Sequence, residues 1–413
     1  MNIVLNNQQE ECILKALKWF RDTSPDKKQT FEISGPAGSG KTTIVKEIIR
    51  ELELDMVNVL FVAFVGKAAL QLSRSGVEGR TIHSVFYDVD FVPVKDEFGR
   101  NVMRNGKLVK KPLFRLKQSL PSYVKLIVVD EGPMVNDEIG KQMESFGIPM
   151  IILGDLQQLP PVMGNTHYLK RPDYVLTKIM RQKEGDPIIY ISQLAARGEH
   201  IPYGRYGDKC FVIPKKMLND DMLRDADMVL TPKNSSRVKL NKYIRENIHG
   251  FNTKLPVYGE KLICRKNNRQ RILGNNMYLV NGMTGFVDNV EKSSFNGKTL
   301  DIDFKPDFET DRVFRDLRID YKALTSSINL DSDYKKGYSM FEVFEYGYAM
   351  TVHLSQGSQC DNVIFISEPF GNREMQCRIN YTAATRAKEG LIMAYWKELI
   401  FNWKMVYINN SVR

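Results

Sequence analysis

Cysteine is scarce. The five residues Cys12, Cys210, Cys264, Cys360 and Cys377 lie far apart, with no C-x-x-C pair among them. This excludes a disulfide framework and the common zinc-ribbon and iron–sulfur arrangements, and it fits a reducing compartment. Histidine is equally sparse, with five residues and no cluster at ligand spacing. Long apolar runs are missing: 126–129 and 150–153 hold four residues each, whereas a membrane-spanning helix needs about 20. Residues 1–10 lack a basic stretch followed by an apolar one, so no secretory signal is expected. No period of 20–50 residues repeats, and no tract is of low complexity. The expectation is a soluble, intracellular protein with no membrane partner.

The 413 residues are enough for two or three domains with ordinary cores. Fifty-nine basic against 49 acidic residues leave a net charge of +10, a weak pointer to a polyanionic partner. The distribution says more. Between Phe91 and Lys117 there are eight Lys/Arg and only two acids, Asp96 and Glu97.

The first half alternates short apolar strands, expected at 30–34, 57–62, 125–129 and 150–153, with helical stretches such as 41–52 and 66–73. Strands buried on both faces and joined by helices predict a parallel α/β sheet. Residues 227–231, 362–367 and 391–395 suggest a second such sheet. From about 256 to 344 the pattern changes to short alternating strands with Gly/Asn turns, including Gly274-Asn275-Asn276 and Asn281-Gly282, as in a small inserted β module.

Gly35-Pro36-Ala37-Gly38-Ser39-Gly40-Lys41-Thr42-Thr43 contains G-x-x-x-x-G-K-[ST] between a strand and a helix-forming run. The order suits a phosphate: glycines let backbone N–H groups close on its oxygens, and the helix N-terminus adds a favourable dipole. Lys41 is expected at the β/γ-phosphates and the Thr42 hydroxyl on Mg²⁺. Leu126-Ile127-Val128-Val129-Asp130-Glu131 is an apolar strand ending in two carboxylates, at the strand end where α/β sheets bind ligands. Asp130 is expected to hold Mg²⁺ through water and Glu131 to polarise the attacking water. Together these predict a nucleotide hydrolase.

Further motifs follow in order. They are Gly154-Asp155-Leu156-Gln157-Gln158-Leu159-Pro160-Pro161-Val162, Met350-Thr351-Val352-His353-Leu354-Ser355-Gln356-Gly357 and Tyr381-Thr382-Ala383-Ala384-Thr385-Arg386-Ala387-Lys388, with Leu5-Asn6-Asn7-Gln8-Gln9 near the start. With the phosphate loop they resemble the superfamily 1 helicases of the B branch, the RecD/Dda-like group, along nearly the whole chain. The resemblance implies two RecA-like P-loop domains carrying an inserted basic β-hairpin and an inserted small β-barrel of the Src-homology-3-like kind. Expected boundaries are 1–170 for the first domain with the hairpin at about 88–118, 171–255 plus 345–413 for the second, and 256–344 for the barrel. It also implies that Gln9 reads adenine, Gln158 senses the γ-phosphate, and Arg181 and Arg386 act as arginine fingers, which can accelerate hydrolysis by roughly 10³–10⁵.

The chain departs from the family pattern at three places. Val65 stands where a threonine holds a DNA phosphate, Leu354 replaces a groove lysine, and Gly132-Pro133-Met134 replaces the usual small-Ser-Met. Lys67 reads either as a phosphate contact or as a solvated lysine at a helix start. His83 and His353 read as base or phosphate contacts or as satisfied buried histidines, and Ser355 and Gln356 carry over as DNA contacts. The basic stretch, centred on Asn105-Gly106, reads as a hairpin that either splits duplex, with Phe98 and Phe114 stacking on bases, or is simply a solvated hairpin.

The expected function is an ATP-dependent DNA helicase, using Mg-ATP to move 5′-to-3′ on single-stranded DNA and unwind forked duplex. Polarity is implied by the resemblance alone. The implied setting is a bacterial or phage-infected cytoplasm, with replication or recombination proteins as possible partners. Rival readings are an ATP-switched nucleic-acid clamp, a helicase-like subunit of an exonuclease complex, and a motor acting on RNA.

Overall fold

Unbroken burial along Thr30–Ser34 and Met150–Gly154 marks the centre of the first sheet. Such strands have no solvent face, which is why their sequences read as continuous apolar runs rather than alternating ones. The computed structural model describes residues 5–395 apart from 94, 96–97, 102, 105–106, 109, 162–163, 181–185, 254, 274–277, 292–298, 309–310, 322–323 and 325–340. Arg181, Val162 and the expected turns at Asn105-Gly106 and Gly274-Asn275-Asn276 therefore lie outside the described residues. The chain divides into two compact units, formed by the described residues of Met1–Asp88, Phe114–Glu199 and Arg373–Thr385, and of Val89–Leu113, His200–Asn372 and Arg386–Arg413.

The first unit is built on six parallel strands in the order Tyr174–Val175, Thr30–Ser34, Met150–Gly154, Leu126–Asp130, Val59–Ala63, Gly79–Thr81. Register places Ser34 beside Gly154 and Ala63 beside Asp130, so the segments that leave these strands emerge at one edge. Alternate side chains feed two cores. Phe31, Ile33, Val128 and Leu153 pack with the helices Asn7–Arg21 and Lys41–Glu51, while Ile127, Val129 and Ile152 pack with Phe86, Met143 and Tyr168. Each fully buried aliphatic side chain here contributes about 1.5–3 kcal/mol. The helix Asn7–Arg21 begins at a capping box in which the Asn6 side chain accepts the Gln9 N–H and the Gln9 side chain accepts the Asn6 N–H.

In the second unit another six-stranded sheet runs Gly204–Tyr206, Cys210–Pro214, Ala387–Tyr395, Cys360–Ile366, Met228–Thr231, Ala349–Thr351. Its pairs are parallel except at the Gly204–Tyr206 edge. Five further strands form an antiparallel sheet in the order Phe314–Asp320, Thr299–Pro306, Thr284–Glu291, Lys261–Cys264, Phe344–Tyr346. Its two edges meet. Ile319 bridges Glu342 in parallel, with Asp320 N–H donating to the Glu342 carbonyl at 2.9 Å and Glu342 N–H to the Arg318 carbonyl at 2.8 Å. This bridge draws the two edges of the sheet together, and Phe304 and Phe344 pack edge to face among its buried side chains.

The basic stretch folds as a ladder. Tyr87–Pro93 pairs with Lys110–Leu116, Lys95 bridges Asn101, and Met103–Arg104 runs antiparallel to Lys107–Leu108. Among the described residues no helix is long and apolar enough to cross a membrane.

Candidate nucleotide site

The loop after Thr30–Ser34 closes because three glycines permit it. A Cβ on Gly35 would lie 2.8 Å from Ser39 Oγ, while Gly38 and Gly40 hold φ values of +83° and +84°. Helix Lys41–Glu51 starts at Gly40 with no side-chain cap, so its first N–H groups remain available to an anion. Lys41 Nζ folds inward and donates to the carbonyls of Gly35 at 2.6 Å and Pro36 at 3.0 Å. Ser39 Oγ is buried without a hydrogen-bond partner in the loop wall.

Gln9 touches this loop. Its Nε2 donates to the Ser39 carbonyl at 3.3 Å, and a Cβ on Gly40 would come within 2.6 Å of the same nitrogen. Both ends of the amide are therefore engaged, by the loop and by the capping box. The neighbouring Gln8 does different work: its amide holds the 177–178 backbone and the Thr177 hydroxyl.

Two strands from Thr30–Ser34, the Asp130 carboxyl is raised above the ordinary carboxylate range by its burial at the strand end, with Lys41 pulling the other way. Lys41 thus brings positive charge to Asp130 without offsetting its burial. A carboxylate short of positive charge, together with the Thr42 hydroxyl at the start of the helix, fits a cation that keeps most of its water and phosphate ligands, as Mg²⁺ does. Among the described residues no set of three His, Cys, Asp or Glu side chains is arranged to cage a metal by itself. Glu131 follows at φ +54°, ψ +44°, a left-handed conformation that costs a non-glycine residue about 1–2 kcal/mol.

The turn after Met150–Gly154 carries Asp155 and Gln158, both buried. Asp155 accepts from the Gln157 N–H at 3.0 Å, from the Tyr381 hydroxyl at 2.5 Å and from Gln158 Nε2 at 3.5 Å. Helix Arg373–Ala384 holds the same turn twice more: Thr382 Oγ1 accepts the Leu159 N–H, and Arg378 donates to the Gln158 carbonyl. Gln158 Oε1 is buried and has no hydrogen-bond partner. Asp155, Tyr381, Thr382 and Arg378 received no role from sequence reasoning, although Asp155, Tyr381 and Thr382 lie inside the motifs that drew attention.

The remaining candidates are spread over both units. In the first, the His83 ring lies 5.4 Å from Tyr87, 5.1 Å from Phe114 and 5.9 Å from Phe64, within an aromatic cluster. Lys67 is on the helix Gly66–Arg74, whose N-cap, Val65, makes no side-chain capping bond. In the second unit Phe98 is 72% exposed under the Arg100 guanidinium. Arg386 is buried and donates to the Ser358 carbonyl at 3.1 Å. His353 is half-buried beside Phe370, and burial lowers its pKa. Ser355 and Gln356 are buried, with the Ser355 hydroxyl donating to the Val352 carbonyl.

A phosphate loop, an acidic strand end and the buried Asp155–Gln158 turn on one parallel sheet define a P-loop nucleotide-binding protein. The family model described as an AAA domain matches residues 5–212, half of the chain, and the UvrD-like helicase C-terminal domain matches 346–394. The chain belongs to this family, within the B branch of the superfamily 1 helicases. It is 25% identical over 373 residues to the ATP-dependent RecD2 DNA helicase of Deinococcus radiodurans, covering 88% of this chain and 46% of that protein. To the ATP-dependent DNA helicase dda of Enterobacteria phage T4 it is 30% identical over 267 residues, 57% of this chain and 55% of the phage protein. The chain spans about half the length, or less, of these and the other leading curated relatives. Among solved structures it resembles Bacteroides Pif1 bound to ssDNA (TM-score 0.53, 17% identity, 99% and 98% of the two chains) and Pif1 helicase from Candida albicans (0.53, 17%, 99% and 99%). That likeness is one of fold and establishes the two RecA-like domains.

Proposed function

We propose that the chain is an ATP-dependent DNA helicase that uses Mg-ATP to move 5′-to-3′ along single-stranded DNA and open forked duplex. One observation carries the hydrolytic part: the loop around Lys41, the Asp130–Glu131 strand end and the Gln158 turn leave adjacent strands of one sheet at the same edge. Lys41 exchanges the Gly35 and Pro36 carbonyls for phosphate oxygens, and the uncapped helix start supplies N–H donors to the same anion. Thr42 and Asp130 hold the metal, which when bound neutralises charge on the phosphates. Glu131 orients and deprotonates water, and Gln158, with its free Oε1, senses the γ-phosphate. Gln9 recognises adenine, while Arg181 and Arg386 bring positive charge to the transferring phosphoryl group.

The DNA-facing part of the proposal comprises Lys67, His83, Phe98, His353, Ser355 and Gln356. The division into 1–170, 171–255 with 345–413, and the inserted 256–344 belongs to the same reading, with replication or recombination proteins as partners inside the cell. The test is strand separation on forked duplexes with a 5′ or a 3′ tail, using the wild-type protein and Lys41→Ala. Unwinding from the 5′ tail only, lost in Lys41→Ala, is the expected result, and unwinding from the 3′ tail overturns the polarity. ATP hydrolysis stimulated by single strands without unwinding favours the ATP-switched clamp, a reading that the missing hydroxyl at Val65 supports.

A further inference from the structure

Pro133 stands where the family pattern has serine, and the structure shows what the ring touches. The residues after Asp130 turn sharply: Glu131 is left-handed at φ +54°, and Met134 N–H returns to the Glu131 carbonyl at 3.0 Å. Gly132 lies flush on the neighbouring strand, so a Cβ there would overlap Ile152 Cγ2 and sit 3.1 Å from the Leu153 carbonyl oxygen. Pro133 is buried, and its ring covers the α-carbon of Gly154: a Cβ on Gly154 would overlap Pro133 Cδ and come within 2.9 Å of Cγ. Leu169 Cδ1 closes the same space, 2.6 Å from that position. The Thr166 hydroxyl donates to the Pro133 carbonyl, and His167 N–H to the Val135 carbonyl at 2.9 Å, so the turn is clamped from its far side as well.

Gly154 is the junction of the site. Its carbonyl accepts the N–H of Gly35, the first residue of the phosphate loop, at 3.0 Å, and the next residue is Asp155, which holds Gln158. The proline ring therefore rests on a residue that is bonded to the phosphate loop on one side and leads directly into the Gln158 turn on the other. Proline fixes its own φ and removes an N–H, so it stiffens the turn at the point of contact.

We propose that Pro133 is a positioning residue for hydrolysis: seated on Gly154, it fixes Glu131 against the phosphate loop and the Gln158 turn. This rests on the ATP-hydrolysing reading above. A serine side chain is smaller than the proline ring and leaves φ free, so it would neither cover Gly154 nor stiffen the turn in the same way. The general reason is geometric: a base displaced by a fraction of an ångström loses rate without losing ground-state binding.

The experiment compares steady-state ATP hydrolysis, fluorescent ADP affinity and thermal midpoint for wild type, Pro133→Ala, Gly154→Ala and the double variant. Pro133→Ala is expected to lower kcat about tenfold with KM for ATP and ADP affinity unchanged. Gly154→Ala is expected to lose more. Placing it in the Pro133→Ala background, where the ring is gone and only the flexible end of Leu169 still crowds the new methyl, should recover at least a threefold part of that loss. An unchanged kcat in Pro133→Ala, or a Gly154→Ala loss that is equal in both backgrounds, overturns the proposal. If Gly154→Ala does not fold, the kcat-against-KM split in Pro133→Ala decides alone; parallel losses in kcat, affinity and thermal midpoint would make the contact merely structural. A wild-type protein that hydrolyses no ATP defeats the reading of the site itself, whereas active wild type with an indifferent Pro133 defeats only this inference.

Discussion

The hydroxyl of Tyr381 donates to Asp155 Oδ2 at 2.5 Å, joining residues 226 positions apart in the chain. Asp155 is buried and also holds the Gln157 N–H and the Gln158 side chain, so the tyrosine steadies the whole Asp155–Gln158 turn. A hydrogen bond to a buried carboxylate contributes about 1.5–3 kcal/mol. Tyr381→Phe keeps the ring and removes the hydroxyl that makes this bond, and the first unit should lose stability in this range. ATP turnover should fall with it, because Gln158 loses a fixed anchor. Urea unfolding and turnover measured on one preparation check both, and a variant as stable and active as wild type would show that the contact does nothing.

Asp130 carries a conflict between stability and chemistry. Burial raises its carboxyl above the ordinary value, with Lys41 opposing. Between the unfolded and folded values the folded chain binds more protons than the unfolded one, so stability falls as pH rises through that window. At pH 7 the charged form is therefore a cost. Asp130→Asn should raise stability by on the order of 1 kcal/mol while ATP hydrolysis collapses. Thermal unfolding without nucleotide, alongside a turnover assay, would reveal the trade; a destabilised Asp130→Asn protein would refute it.

The parts of this site that were readable in the sequence are those built from neighbours. Gly35 to Thr42 form a local loop, and four apolar residues before Asp130 form a local strand, so spacing alone places their chemistry. The contact of Tyr381 with Asp155, the seat of Pro133 on Gly154 and the bridge between Ile319 and Glu342 are long-range. No periodicity encodes which distant residue will arrive. Burial is no more legible: Ser355, in the short helix Val352–Ser355, and Gln356, its C-cap, are both buried, which the motif they sit in does not announce.

Val65 offers a gain-of-function test. It is the N-cap of the helix Gly66–Arg74, in extended conformation, where a threonine hydroxyl accepts a helix N–H and valine accepts nothing. Val65→Thr should stabilise the first unit by about 0.5–2 kcal/mol. If this helix start meets a DNA phosphate, the new hydroxyl should also tighten single-strand binding with an unchanged salt slope, since a neutral group releases no counterion. Binding titrations between roughly 50 and 200 mM salt, an interval wide enough to define the slope, would separate the two effects.

In the second unit Arg245 lies in a π-helical turn, Ile244–Ile248, and pairs with Glu260 at 2.5 Å while donating to the carbonyls of Phe251, Thr253 and Leu255. Glu260 is wholly buried just ahead of the antiparallel-sheet strand Lys261–Cys264. Removing its charge leaves a guanidinium uncompensated, and Glu260→Gln should cost about 3–5 kcal/mol. Replacing the pair by Met and Leu should not restore stability fully, because three carbonyls then lose their donor. Denaturant unfolding of the single and double variants gives the comparison, and full recovery in the double variant would show that those carbonyls find other partners.

His353 makes the sharpest statement about pH. Burial lowers its pKa below the ordinary histidine value of 6.5, so the ring is neutral at pH 7 and brings no cation to a DNA phosphate. In the interval between the folded value and about 6.5 the unfolded chain binds the extra proton. Stability is therefore full above that interval and is lost as pH falls through it. His249 adds to the effect, its pKa lowered by burial and by Arg224 against the opposing Glu260. Thermal midpoints of wild type should drop from pH 7.5 to 5.5, and His353→Gln, which cannot take up the proton, should flatten part of that slope. Single-strand affinity at fixed salt should not strengthen over the same range on account of His353. A steeper salt slope at pH 6 that disappears in His353→Gln would show instead that the ring charges on DNA and contacts the backbone.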